Sequence, residues 1–130
     1  MKSRESVVRL KRFQVEEKRR QVAQIDMMVA EFNRMSAELD VQINAEQERT
    51  GIRDTSHFAY STFAKAAIQR RDNLRASADE LRMQREAAQD GLVEAEEELT
   101  KLEALAERDR VESDDRSGVH AGGRRSITAA

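Results

Sequence analysis

Cysteine, proline and tryptophan are absent from the 130 residues, glycine occurs only 5 times, and aromatic residues make up 4%. Without cysteine there are no disulfides, no thiolate metal ligands and no thiol nucleophile. Without proline nothing interrupts a long helix. No window approaches the roughly 18 uninterrupted apolar residues of a membrane span. The start, Met1-Lys2-Ser3-Arg4-Glu5, has no apolar stretch behind it to serve as a signal peptide, so the expected compartment is the cytoplasm. What is abundant is charge, at 37% against about 25% in an average globular domain. Such a chain has too little apolar material for a compact core and needs a narrow seam, which a coiled coil supplies.

Hydrophobic periodicity supplies that seam. In the first half Val8, Val15, Val22, Val29 and Ile43 recur at heptad spacing, interrupted by Ser36, with Ile25, Phe32 and Leu39 three positions later. Lys11 and Lys18 occupy the second row at its start, so this end is expected to be wetter than the middle. In the second half Leu74, Leu81, Ala88, Ala95 and Leu102 form one row, and Ala78, Arg85, Leu92, Leu99 and Ala106 form the other. Gly91 costs its helix about 1 kcal/mol relative to alanine. Leu10, Met28, Met35, Ile68 and Leu105 lie off the seam and widen the apolar stripe.

Between the halves, Thr50-Gly51-Ile52-Arg53-Asp54-Thr55-Ser56 combines a C-cap glycine with Asp, Thr and Ser as N-cap candidates. So short a connection makes the helices antiparallel neighbours. The expected fold is all-α: an antiparallel two-helix coiled-coil hairpin over residues 1–110, followed by a disordered C-terminal tail over 111–130. Helix 1 is expected at about 4–49, the turn at 50–56 and helix 2 at about 57–110. At 1.5 Å per residue each helix would be about 70 Å long. A turn centred near Arg53 sets Val8 against Leu99 and Leu102, Val15 against Leu92, and Phe32 against Leu74 and Ala78. Charge supports this pairing. Residues 1–20 carry eight basic side chains against three acidic, and residues 90–115 carry eleven acidic against three basic. The hairpin brings these two segments together.

Little here suggests chemistry. His57 and His120 are isolated, with no second ligand at metal-binding spacing, and solvated histidines are the plain reading. The run Glu96-Glu97-Glu98 has no pocket to shift its pKa values and reads as a solvated face. Neither catalysis nor a cofactor nor a metal is expected. Two segments suit recognition. Phe58, Tyr60 and Phe63 place three of the five aromatics within six residues beside the turn, either as exposed anchors or as a plug for the turn. The basic stretch Arg9 to Arg20, interleaved with Leu10, Phe13 and Val15, suits an acidic partner or membrane surface, or simply pairs with helix 2.

These residues resemble a known family. Met1-Lys2-Ser3-Arg4-Glu5, the stretch Leu10-Lys11-Arg12-Phe13-Gln14-Val15-Glu16-Glu17-Lys18-Arg19-Arg20-Gln21-Val22-Ala23, and above all Phe58-Ala59-Tyr60-Ser61-Thr62-Phe63-Ala64-Lys65-Ala66-Ala67 are similar to the flagellar export protein FliJ family in its alphaproteobacterial form. The resemblance covers about residues 1–110, and the non-heptad segment across the turn is its most specific part. It implies an antiparallel coiled coil like the stalk of rotary ATPases, serving flagellar type III protein export at the cytoplasmic face of the inner membrane, with only indirect membrane association. The implied partners are the flagellar export ATPase, the cytoplasmic domain of the export gate protein and export chaperones, with no nucleic acid. Carried over, the ATPase-binding candidates are Val8, Lys11, Arg12, Val15, Lys18, Leu99, Leu102 and Leu105. The gate-binding candidates, with the aromatics at the turn, are Phe58, Tyr60, Phe63, Ala67, Arg70 and Leu74. Two other classes fit the composition: a structural coiled-coil adaptor or spacer, and a basic-helix module for nucleic acid or anionic lipid, which predicts steep salt dependence.

Overall fold

The computed structural model describes the backbone of residues 2–129 and the side chains of residues 4–116. The chain forms two helices, α1 (Lys2–Thr50) and α2 (Thr62–Ala129), packed as an antiparallel hairpin. It divides into two units, one of residues 1–19 with 90–130 and the other of residues 20–89, which contains the turn.

In the second unit the seam follows the heptads. Val22, Ser36, Leu39 and Ile43 of α1 are buried, as are Ala64, Ala67 and Ala78 of α2. Leu39, Ile43 and Ala67 form one cluster, with Ile68 and Leu74 packed against it. Ile25, Val29 and Phe32 are half-buried, and so are Leu81 and Ala88. Alanine lets the helix axes approach, and the leucine, isoleucine and phenylalanine side chains fill the space between those close layers.

In the first unit Val8 and Val15 of α1 and Leu92 and Ala95 of α2 are buried, with Leu99, Leu102 and Ala106 half-buried. The first-row valines are thus buried although Lys11 and Lys18 stand in the second row. Both lysines are half-buried: the Lys11 ammonium reaches Glu98, and the Lys18 Nζ lies 3.8 Å from where a Cβ on Gly91 would sit. A long lysine side chain suits such a half-buried place, because its aliphatic stem can lie along apolar surface while the ammonium reaches outward.

The turn is longer than the sequence indicated, spanning residues 51–61. Gly51 ends α1 as expected, at φ +74°, with its N–H donating to the Gln47 carbonyl at 2.9 Å. Asp54 and Ser56 do not cap α2. The Asp54 carboxylate instead accepts the Ser56 N–H at 3.0 Å and the Ser56 hydroxyl at 2.7 Å, closing a local turn. The Ala59 N–H then donates to His57 Nδ1 at 3.0 Å. The N-cap is Ser61, whose Oγ accepts the Ala64 N–H at 3.2 Å and donates to Glu46 of α1 at 3.0 Å. One hydroxyl thus starts α2 and ties it to α1, while Ser56 is engaged with Asp54. Helix 2 begins at Thr62 rather than about 57, and the register shifts with it. Arg19, which a turn at Arg53 would set against residue 89, bonds to Glu96 at 3.1 Å, whereas Lys11, expected opposite residue 97, meets Glu98.

Residues 111–116 continue α2 as exposed helix beyond the last seam position, held by the Arg110–Asp114 pair at 3.5 Å and the Arg110–Glu107 pair at 2.6 Å. For the remainder of the expected tail, 117–130, the side chains lie outside the described residues.

Candidate functional site

Each group of candidate residues splits into a buried and an exposed set. In the first unit Val8 and Val15 are buried, while Lys11, Lys18, Leu99 and Leu102 are half-buried. Arg12 and Leu105 are exposed. The apolar surface that α1 offers here comes from Leu10 and Phe13, expected off the seam within the basic stretch, and from Val7, which the pattern did not mark; Phe13 is 60% exposed. Their spacing of three residues places them along one outward stripe of the helix. The signal for them was the interleaving of apolar with basic residues, which the seam did not use.

Several cations at the start of α1 pair with acids of α2. Arg4 bonds to Asp109 at 2.7 Å, Lys11 pairs with Glu98, Arg12 with Glu103 at 3.0 Å and Arg19 with Glu96 at 3.1 Å. Pairing within the hairpin thus engages four of the eight basic side chains of residues 1–20. The Lys11 hydrogen bond holds the Glu98 carboxyl below its ordinary value, and Arg49, then Ser61, do the same for Glu46. A depressed carboxyl stabilises the fold fully above its unfolded value, and that contribution is lost as pH falls through the lower folded value. The thermal midpoint is therefore expected to stay level from neutral pH to about 5 and to fall below about 4.5. Circular dichroism melts would check this, with Lys11→Gln shrinking the acid-induced drop; a fall already complete at pH 5 would contradict the assignment.

Around the turn, the three aromatics take different positions. Tyr60 is buried, its hydroxyl accepting from Gln47 Nε2 at 2.9 Å. Phe58 is 96% exposed and stacks on His57 with ring centroids 4.7 Å apart and planes at 22°. Phe63 is 57% exposed at the start of α2. Ala67 is buried, Leu74 packs against the Leu39 cluster, and Arg70 is exposed. The plug and the anchor are therefore separate residues: Tyr60 closes the turn and Phe58 projects from it. Phe58 lies inside a turn closed by the Tyr60 N–H to the His57 carbonyl at 3.0 Å and the Ala59 N–H to His57 Nδ1, so its ring is presented from a hydrogen-bonded support. An exposed aromatic whose support is already ordered loses little entropy on binding.

Among the described residues no group of three His, Cys, Asp or Glu side chains is placed to hold a metal, and no helix is long and apolar enough to cross a membrane. No protein-family model matches the chain, and no curated protein or solved structure does so either.

Proposed function

We propose that this chain is a non-enzymatic coiled-coil component of a flagellar type III export apparatus, binding the export ATPase and the cytoplasmic domain of the export gate and assisting delivery of substrates or their chaperones. The observation that carries the reading is Phe58, 96% exposed on a hydrogen-bonded turn within the segment Phe58–Ala67 that most resembles the FliJ family. The helical hairpin is also the fold that the resemblance implies. On this reading the gate contacts Phe58, Phe63 and Arg70, while Tyr60, Ala67 and Leu74 hold that surface in shape. The ATPase contacts Arg12 and Leu105, joined by Leu10 and Phe13, while Val8 and Val15 act through packing. The chain works in the cytoplasm and at the inner membrane's cytoplasmic face, held there by its protein partners.

The test is co-purification of the full chain with a flagellar export ATPase and, separately, with the gate's cytoplasmic domain. Phe58→Ala is expected to weaken the gate complex about tenfold or more, as loss of an aromatic anchor does, with the ATPase complex unchanged. Leu10→Ala with Phe13→Ala is expected to have the reverse selectivity. Retention of neither partner by the unaltered chain would sink the reading in favour of a structural spacer.

A further inference from the structure

The two edges of the hairpin in residues 20–89 differ. On one edge, ion pairs and hydrogen bonds cross from helix to helix at regular intervals. Asp26 accepts from Arg85 at 2.9 Å, Asn33 from Arg82 at 3.1 Å, and Asp40 from Arg71 at 2.9 Å and Arg75 at 2.8 Å. The seam row beside this ladder is buried at Val22, Ser36, Ile43, Ala64 and Ala78. In an antiparallel pair the heptad positions flanking the other seam row meet on the opposite edge. Away from the turn those positions carry the uncharged Gln21, Met28, Met35, Ser77 and Gln84, and the first cations on this edge, Arg49 and Arg70, lie toward the turn. The adjoining seam row is buried at Leu39 and Ala67 near the turn but only half-buried beyond them, at Ile25, Phe32, Leu74, Leu81 and Ala88, and Met28 is 41% exposed. One edge is thus bridged by charged side chains, and the other, between Met28 and Gln84, is an uncharged trough that is only partly closed.

Its rims are acidic. Glu31 and Glu38 of α1 and Glu80 of α2 occupy the next positions outward, and all three are exposed. Glu31 and Glu38 share Arg34, at 2.6 Å for Glu38, while Arg34 itself lies one step further round the helix. A second copy of the chain would bring acidic rim against acidic rim, which disfavours self-docking. The geometry points to a different occupant: the trough formed by Met28, Phe32, Met35, Ser77, Leu81 and Gln84 is a docking site for an amphipathic helix of a partner protein, one with an apolar stripe flanked by basic residues. Ser77 lets the incoming backbone come close, the methionines adapt to its side chains, and the glutamates select its charge. This inference is independent of the export reading.

The experiment uses the full chain and two synthetic peptides, each a helix with a leucine stripe, one flanked by lysines and the other by glutamates, followed by fluorescence anisotropy. The lysine-flanked peptide is expected to bind, and more tightly at low salt than at high salt. Ser77→Lys or Met28→Lys is expected to weaken it by roughly tenfold or more, and Glu80→Lys with Glu31→Lys to shift preference to the glutamate-flanked peptide. These positions are exposed, so helicity and melting report directly that each variant still folds. Met83→Lys, at a 73% exposed apolar residue on the outer face of α2, should leave binding unchanged. Equal binding of both peptides, no binding of the lysine-flanked one, or equal losses from Met83→Lys and Ser77→Lys would each overturn the proposal. So would sedimentation showing a dimer of the unaltered chain that Ser77→Lys dissociates, since the occupant would then be a second copy.

Discussion

Ile43→Asp is expected to destabilise the hairpin by about 3–5 kcal/mol, the range for an uncompensated charge placed in an apolar interior. Ile43 is 4% exposed and shares its cluster with Leu39 and Ala67. The introduced carboxylate would have Asp40 and Glu46 on the same helix face, while Arg71 is already bound to Asp40. The side chains packed with it, Leu39, Ala67, Ile68 and Leu74, are apolar. A hairpin of two helices buries modest area and has a small margin, so a loss of this size removes most of the folded population. The matched control is Val41→Asp, two positions away and 69% exposed, for which a change within about 0.5 kcal/mol is expected. Urea unfolding followed by circular dichroism distinguishes the two. Comparable losses from both substitutions would mean that the Leu39 cluster does not hold the hairpin together.

Tyr60→Ala is expected to cost about 3 kcal/mol, while Phe58→Ala costs less than about 0.5 kcal/mol. The alanine at 60 empties a site that is 6% exposed and leaves Gln47 Nε2 without the hydroxyl it donates to. Tyr60→Phe keeps the ring and removes only that acceptor, so about 1 kcal/mol is expected. Phe58 has almost no burial to lose, only its stacking on His57. The order Tyr60→Ala, Tyr60→Phe, Phe58→Ala in falling cost is therefore the outcome to seek in chemical denaturation. A Phe58→Ala variant as unstable as Tyr60→Ala would assign the plug to the wrong ring and remove the support for Phe58 as an anchor.

The seam was legible in the sequence because burial in a coiled coil repeats with a local period. Val8, Val15, Val22, Leu39 and Ile43, with Ala78, Leu92 and Ala95, stand at heptad positions and are all buried, and the half-buried members of the rows are heptad residues too. The end of α1 was legible for a similarly local reason: only a residue at ease with positive φ suits that position, and Gly51 is the glycine there. Charge asymmetry between the two ends of the chain indicated antiparallel pairing, and Arg4–Asp109, Arg12–Glu103 and Arg19–Glu96 realise it.

Other features were settled by contacts across the turn. Asp54, Thr55, Ser56 and Ser61 are all competent N-caps by residue type, and only Ser61 also reaches Glu46. That choice set the start of α2 and, through it, the register along the pair. Phe58, Tyr60 and Phe63 are alike in sequence, but Gln47 and the neighbouring helix accommodate one ring and leave two outside. The heptad pattern is nearly symmetric about the seam, so it marks which residues face the partner helix and says little about the flanking edges. Which edge closes depends on whether long charged side chains from both helices come within reach of each other, as Asp40, Arg71 and Arg75 do. That distance is a property of the assembled pair, so the sequence determined the rows of the seam and tertiary packing decided their register, the ring that fills the turn and the edge left open.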